Sequence, residues 1–180
     1  EPLPVLRAQA LAAGGRFEEA IADYRALLLL DPSNTQSMRD LATMLIETGE
    51  VEEGFEVYDQ LLQEPTTLTG EDLYAIGVGF YQGNAYDRAA NAFMLAGDKN
   101  RYDRDSIELW ARSLQLDSAY AEVPEAADRW IELDPSSVTA HLILAQAVNS
   151  LEDTERTGEV VRAMEALEVD VSNLSLTKYG

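Results

Sequence analysis

The stretch Leu73–Phe93, LYAIGVGFYQGNAYDRAANAF, decides the fold. Leu73, Ile76, Gly77 and Phe80 fall at i, i+3, i+4 and i+7, the spacing of one helical face. Gln82-Gly83-Asn84 then breaks the helix, and Ala89 and Phe93 share the face of a second one. The same unit returns on either side. Small residues Ala8, Ala42, Gly77, Ala111 and Ala145 recur at intervals of 34, 35, 34 and 34. Leu11, Leu45, Phe80, Leu114 and Val148 keep that step, as do Tyr24, Tyr58, Phe93, Ala127 and Val161. A fixed period of this length means one supersecondary unit stacked repeatedly, because no unit can bury its apolar face alone.

Turn chemistry divides the period into two helices. Gly14-Gly15-Arg16, Thr48-Gly49-Glu50 and Gln82-Gly83-Asn84 break the first three units at one phase. Asp117-Ser118 and Glu152-Asp153-Thr154 stand there, without glycine, in the last two. Between units lie Asp31-Pro32-Ser33-Asn34, Glu64-Pro65-Thr66-Thr67, Asp98-Lys99-Asn100 and Asp134-Pro135-Ser136-Ser137. Proline stops the preceding helix, and Ser, Thr or Asn caps the next. Thr69 with Asp72 predicts a capping box. Pro124 falls where a helix should be under way, so that helix either starts near Val123 or kinks. The last unit has Thr157-Gly158 where a small alanine is expected and lacks the aromatic. Residues 169–180 alternate Val169, Val171, Leu174 and Leu176 with polar residues. That period of two reads as the first strand of a following domain, or else the segment is a disordered tail.

The pattern resembles the tetratricopeptide repeat. Leu73, Ile76, Gly77, Phe80, Ala89 and Phe93 match it most fully, with Gly15, Phe17, Ala20, Tyr24 and Pro32 in the first unit. Ile107, Trp110, Ala111, Leu114, Trp130 and Pro135 carry it in the fourth. The resemblance implies an all-α, right-handed α-solenoid of helix-turn-helix repeats over residues 1–168. The repeats run at about 1–34, 35–69, 70–103, 104–137 and 138–168, with 169–180 as a tail.

Composition narrows the partners. The 180 residues carry a formal net charge of −20, which disfavours nucleic acid and an anionic membrane surface. Residues 35–68 hold eight acids against Arg39 alone. Such acidity is either a face for a basic partner or a solvated surface. No apolar run is long enough to span a membrane. There is no cysteine and one histidine, His141, at a core phase, so neither a thiolate nor a zinc site of ordinary composition is available. No phosphate-binding or calcium loop is legible, and the expectation is a non-enzyme without cofactor or metal. Arginine outnumbers lysine in a way that reads as bacterial, leaving cytoplasm, periplasm and cell envelope open.

The family resemblance implies that the first helices line a concave groove that holds a protein or peptide partner. Arg39 and Thr43, then Tyr74, Val78, Tyr81 and Gln82, then Glu108 and Arg112 are the candidate groove residues. Tyr74 and Tyr81 are the anchor candidates, against the alternative that they merely pack. The arginines either bind or pair with neighbouring acids. At the positions where some members grip a C-terminal carboxylate, this chain has Val5, Gln9, Arg39 and Thr43, so that clamp is absent. Two other roles stay open: self-association through an uncapped C-terminal end, and docking or regulation within a larger envelope protein or enzyme.

Overall fold

The computed structural model describes residues 3–100 and 103–169. Among them are ten α-helices and no strand: α1 (Leu3–Ala13), α2 (Phe17–Leu30), α3 (Thr35–Thr48), α4 (Val51–Leu61), α5 (Gly70–Gln82), α6 (Tyr86–Lys99), α7 (Arg104–Leu116), α8 (Val123–Leu133), α9 (Val138–Ser150) and α10 (Thr154–Ala166). A short 3-10 turn, Pro65–Thr67, precedes α5. The chain divides between Asn84 and Ala85 into two compact units, α1–α5 and α6–α10.

In the first unit α1 packs on α2, α2 on α3, and α3 on both α4 and α5. The periodic small residues make these approaches possible. Ala8, Ala20 and Ala42 have no exposed surface, and a Cβ on Gly54 would sit 2.9 Å from the Ala42 carbonyl oxygen. Ala8, Leu11, Ala20, Ile21, Tyr24, Leu41 and Leu45 form one apolar cluster there. Farther along, the Phe80 ring meets Tyr58 edge-on at 5.4 Å and Phe55 at 5.2 Å. Gly79 lies against Tyr58: a Cβ at residue 79 would come within 2.3 Å of the ring's Cε2.

In the second unit α6 packs on α7, α7 on α8 and α9, α8 on α9, and α9 on α10. Ala89, Ala92, Phe93 and Ala96 of α6 are wholly buried. The two tryptophans are buried, each with an arginine over its face: Arg129 over Trp110 at 5.3 Å and Arg112 over Trp130 at 5.6 Å. Cation–π stacking of this kind lets a charged side chain close an apolar layer.

Helix ends follow the turn chemistry closely. Asn34, Asp103, Ser137 and Asp153 each accept an amide hydrogen bond from three residues on. The capping box at Thr69 forms: its amide donates to Asp72 at 3.0 Å, and the Asp72 amide donates to its hydroxyl at 3.1 Å. Pro124 does not kink α8; the helix starts late, at Val123, with the proline in its first turn, where no amide is needed. In the last hairpin the expected alanine is replaced by Thr157, buried with its hydroxyl donating to the Asp153 carbonyl at 2.6 Å. The strand-like pattern of the tail falls, past Val169, outside the described residues.

The breaker residues themselves are a finding. Gly15 and Gly49 adopt φ of 72° and 95°, as their glycines predict. After α5 it is Asn84 (φ 63°), not Gly83, that takes the left-handed conformation. Ser118 (62°) and Glu152 (59°) take it after α7 and α9, where no glycine is present. A left-handed residue therefore follows each of α1, α3, α5, α7 and α9 whatever its type, at a cost of about 1–2 kcal/mol for an ordinary side chain.

Two substitutions test this packing in opposite directions. Gly79→Ala improves helix propensity yet drives a methyl into the Tyr58 ring, so it destabilises by about 1–3 kcal/mol. Glu152→Gly relieves the left-handed strain and stabilises by about 1 kcal/mol. Chemical denaturation of both variants reads the signs; a stabilised Gly79→Ala protein would mean that Tyr58 moves aside without cost.

Candidate functional site

A cleft of about 390 Å³ within the first unit lies where α3, α4 and α5 meet. Thr43 and Glu47 come from α3, Tyr58 from α4, and Glu71, Tyr74, Ala75, Val78, Gly79 and Gln82 from α5. Residues 71, 75, 78 and 82 repeat at i, i+4, i+7 and i+11, so one stripe of α5 forms a whole wall. Gly79 helps keep the floor shallow, because the Tyr58 ring occupies the volume of the missing side chain.

Tyr58 is 1 % exposed, yet its hydroxyl reaches the cleft and lies 2.9 Å from Thr43 Oγ1. Thr43 spends its one hydroxyl hydrogen on the Arg39 carbonyl at 3.0 Å, so Tyr58 donates to Thr43. Burial pushes the Tyr58 phenol above its ordinary range, only partly offset by the bond to Thr43. It therefore stays a neutral hydrogen-bonded group at the base of the cleft. Glu47 and Glu71, by contrast, are exposed at the rim.

The structure sorts the candidate groove residues. Thr43, Tyr74, Val78 and Gln82 line the cleft together. Tyr81 is half-buried and is not one of the lining residues, since the wall of α5 is turned about one position from the expected stripe. Arg39 pairs with Asp72 and donates to Gln36 Oε1 at 2.7 Å, which ties α3 to the capped start of α5. Glu108 and Arg112 belong to the second unit, where they pair with each other at 2.8 Å while Arg112 covers Trp130. Arginine pairing with neighbouring acids thus describes both Arg39 and Arg112.

Sequence reasoning missed Glu47, Glu71, Ala75 and Gly79, and assigned Tyr58 to the core alone. The helical phase held the signal: Glu47 is one turn beyond Thr43, and Glu71 one turn before Ala75. Nothing in the spacing says that a core tyrosine extends its hydroxyl into a cleft. His141, placed at a core phase, is buried, its Nδ1 2.9 Å from the Ser137 carbonyl oxygen. Among the described residues no group of acids and histidine is arranged to hold a metal ion, and no helix is long and apolar enough to cross a membrane.

Residues 5–67 match the family model of the tetratricopeptide repeat. Among solved structures, the chain is similar to YrrB, described as a TPR protein with an unusual peptide-binding site. The identity is 17 %, 93 % of this chain and 86 % of that one are covered, and the TM-score is 0.67. It is also similar to MamA, at 18 % identity over 89 % of this chain and 92 % of that one, with a TM-score of 0.62. MamA of Desulfovibrio magneticus RS-1, from residue 41 onward, gives 17 % identity, 92 % and 93 % coverage, and a TM-score of 0.61. The BBSome complex member bbs-4 of Caenorhabditis elegans is 32 % identical over 90 residues, which is 49 % of this chain and 19 % of that protein. The matched stretch therefore spans about a fifth of that relative's length. Proteins of this fold serve in general as non-catalytic scaffolds for protein–protein interaction. Helical pairs at a period of about 34 residues thus give the described residues an all-α repeat fold like that of these neighbours, and residues 5–67 carry the tetratricopeptide-repeat match.

Proposed function

We propose that the chain binds an extended segment of a protein partner in the α3–α5 cleft, and that the segment presents a basic side chain there. The observation that carries this reading is the composition of the cleft. Its floor is uncharged, with Val78 and Ala75 beside the Tyr58–Thr43 hydroxyl pair, Tyr74 lines one side, and Glu47 and Glu71 stand at the rim with no arginine or lysine among the lining residues. At about 390 Å³ the cleft is the size for one or two side chains rather than a whole helix. An alkyl stem over Val78 and Ala75, with a cationic head between carboxylates and a tyrosine face, uses every surface the cleft offers. The chain's net charge of −20 would speed the approach of such a partner and exclude acidic ones. YrrB lends fold-level support, since its description names a peptide-binding site.

The test is fluorescence anisotropy with labelled peptides about ten residues long, one set rich in lysine and arginine and one rich in acids. Basic peptides bind, and their affinity falls as salt rises. Tyr74→Ala and the double substitution Glu47→Lys, Glu71→Lys each weaken binding about tenfold or more, and the double substitution, at two exposed positions, does so without changing the melting temperature. Equal binding of acidic and basic sets, or basic binding indifferent to all three residues, would sink the reading.

A further inference from the structure

We propose that the side chain received by the α3–α5 cleft is arginine in preference to lysine, and that the Tyr58–Thr43 hydroxyl pair makes the choice. This rests on the reading of the cleft as the site of a basic segment, and it names the residue that the site selects.

Two hydroxyls meet at the floor, and the hydrogens of both are already committed. Thr43 donates its one hydrogen back along its own helix, to the Arg39 carbonyl at 3.0 Å. Tyr58 Oη lies 2.9 Å from Thr43 Oγ1 and is the donor of that contact, because Thr43 has no second hydrogen to give. Burial, opposed in part by the bond to Thr43, pushes the phenol above its ordinary range, so it keeps its hydrogen. What the pair has left to offer is lone pairs. Thr43 spends one of its two on Tyr58, and the other remains. A hydroxyl is ordinarily a rotor that donates or accepts as its neighbour requires; here the fold has fixed both in the accepting sense. Thr43 is half-buried, so a group entering the cleft can meet its oxygen.

The charges around the cleft agree with its floor. The carboxylates of Glu47 and Glu71 accept and do not donate. Arg39, one turn before Thr43, is engaged with Asp72 and Gln36 and is not a lining residue, so this arginine does not fill the acceptors. Tyr74 and Gln82, both from α5, can donate or accept. An incoming carbonyl or carboxylate oxygen therefore meets lone pairs at the floor and negative charge at the rim. A group that only donates finds partners at both levels.

Lysine and arginine both only donate, but they differ in shape and hydration. An ammonium is compact and strongly hydrated, and its three hydrogens diverge from one nitrogen. It is satisfied at the exposed rim, beside Glu47 and Glu71, with its water retained. A guanidinium is planar, more weakly hydrated, and carries five N–H groups around its edges. One edge can turn to the Thr43 and Tyr58 oxygens while another stays with a carboxylate. The floor thus rewards arginine for a descent that costs lysine its hydration.

Fluorescence anisotropy with three short labelled peptides tests this. They are identical except at one central position, which is arginine, lysine or citrulline, the uncharged analogue of arginine in which a carbonyl replaces one nitrogen. The arginine peptide binds about tenfold more tightly than the lysine peptide, and the citrulline peptide binds more weakly than either. Thr43→Val removes one floor oxygen and deprives the Tyr58 hydrogen of its acceptor, so the arginine-to-lysine ratio falls to about twofold or less. Thr43→Ser keeps the hydroxyl and keeps the ratio. Tyr58→Phe keeps the ring against Phe80, removes the other oxygen and lowers the ratio about threefold. Because each ratio compares two peptides on one protein, a loss of stability that weakens both alike cancels from it. Equal binding of the arginine and lysine peptides by the unaltered protein overturns the proposal and leaves the basic-segment reading standing. A ratio that ignores Thr43→Val overturns it too, by taking the choice away from the floor. Binding of neither basic peptide overturns both.

Discussion

The Tyr58 ring takes the space that a side chain at residue 79 would need, and the first unit is organised around that contact. It seats Tyr58 of α4 on the surface of α5, edge-on to Phe80 and with its hydroxyl 2.9 Å from Thr43 Oγ1. The same atoms thus serve as core on one side and cleft floor on the other. Small residues elsewhere play the complementary part. Gly54 against the Ala42 carbonyl lets α3 and α4 approach, which in turn positions the α3 wall of the cleft.

Arginine does structural work throughout an acidic chain. Arg39 joins α3 to Asp72, which also caps α5, so one carboxylate holds both the start of a helix and its neighbour. In the second unit Arg129 reaches Asp98 at 2.9 Å and the Gly97 carbonyl at 3.2 Å while lying over Trp110. A planar, permanently charged group can stack and bond at once, as an ammonium cannot. Of the two roles open to Arg39 and Arg112 in the sequence, pairing with a neighbouring acid is the one both make here.

The helices, their caps and the buried small residues were legible in the sequence because each depends on local chemistry repeated five times. Ala8 and Ala42 are buried where the period puts them, and Thr69 caps where its spacing to Asp72 says it should. The cleft was legible only in part. Thr43, Tyr74, Val78 and Gln82 converge, but Tyr81 does not, since a rotation of one residue about the α5 axis is invisible to a pattern with a tolerance of one residue. Arg39 and Arg112 were ambiguous because a charge gives no sign of its partner until the fold supplies one.

The left-handed turns bear on how such chains diverge. A residue at φ near 60° projects from the end of its hairpin, so glycine, asparagine, serine and glutamate can all stand there with modest strain and no repacking. Turn motifs can therefore be lost one at a time while the spacing between helices is retained. A lineage under such rules keeps its register long after its letters have changed, and proteins sharing barely a sixth of their residues can still superimpose.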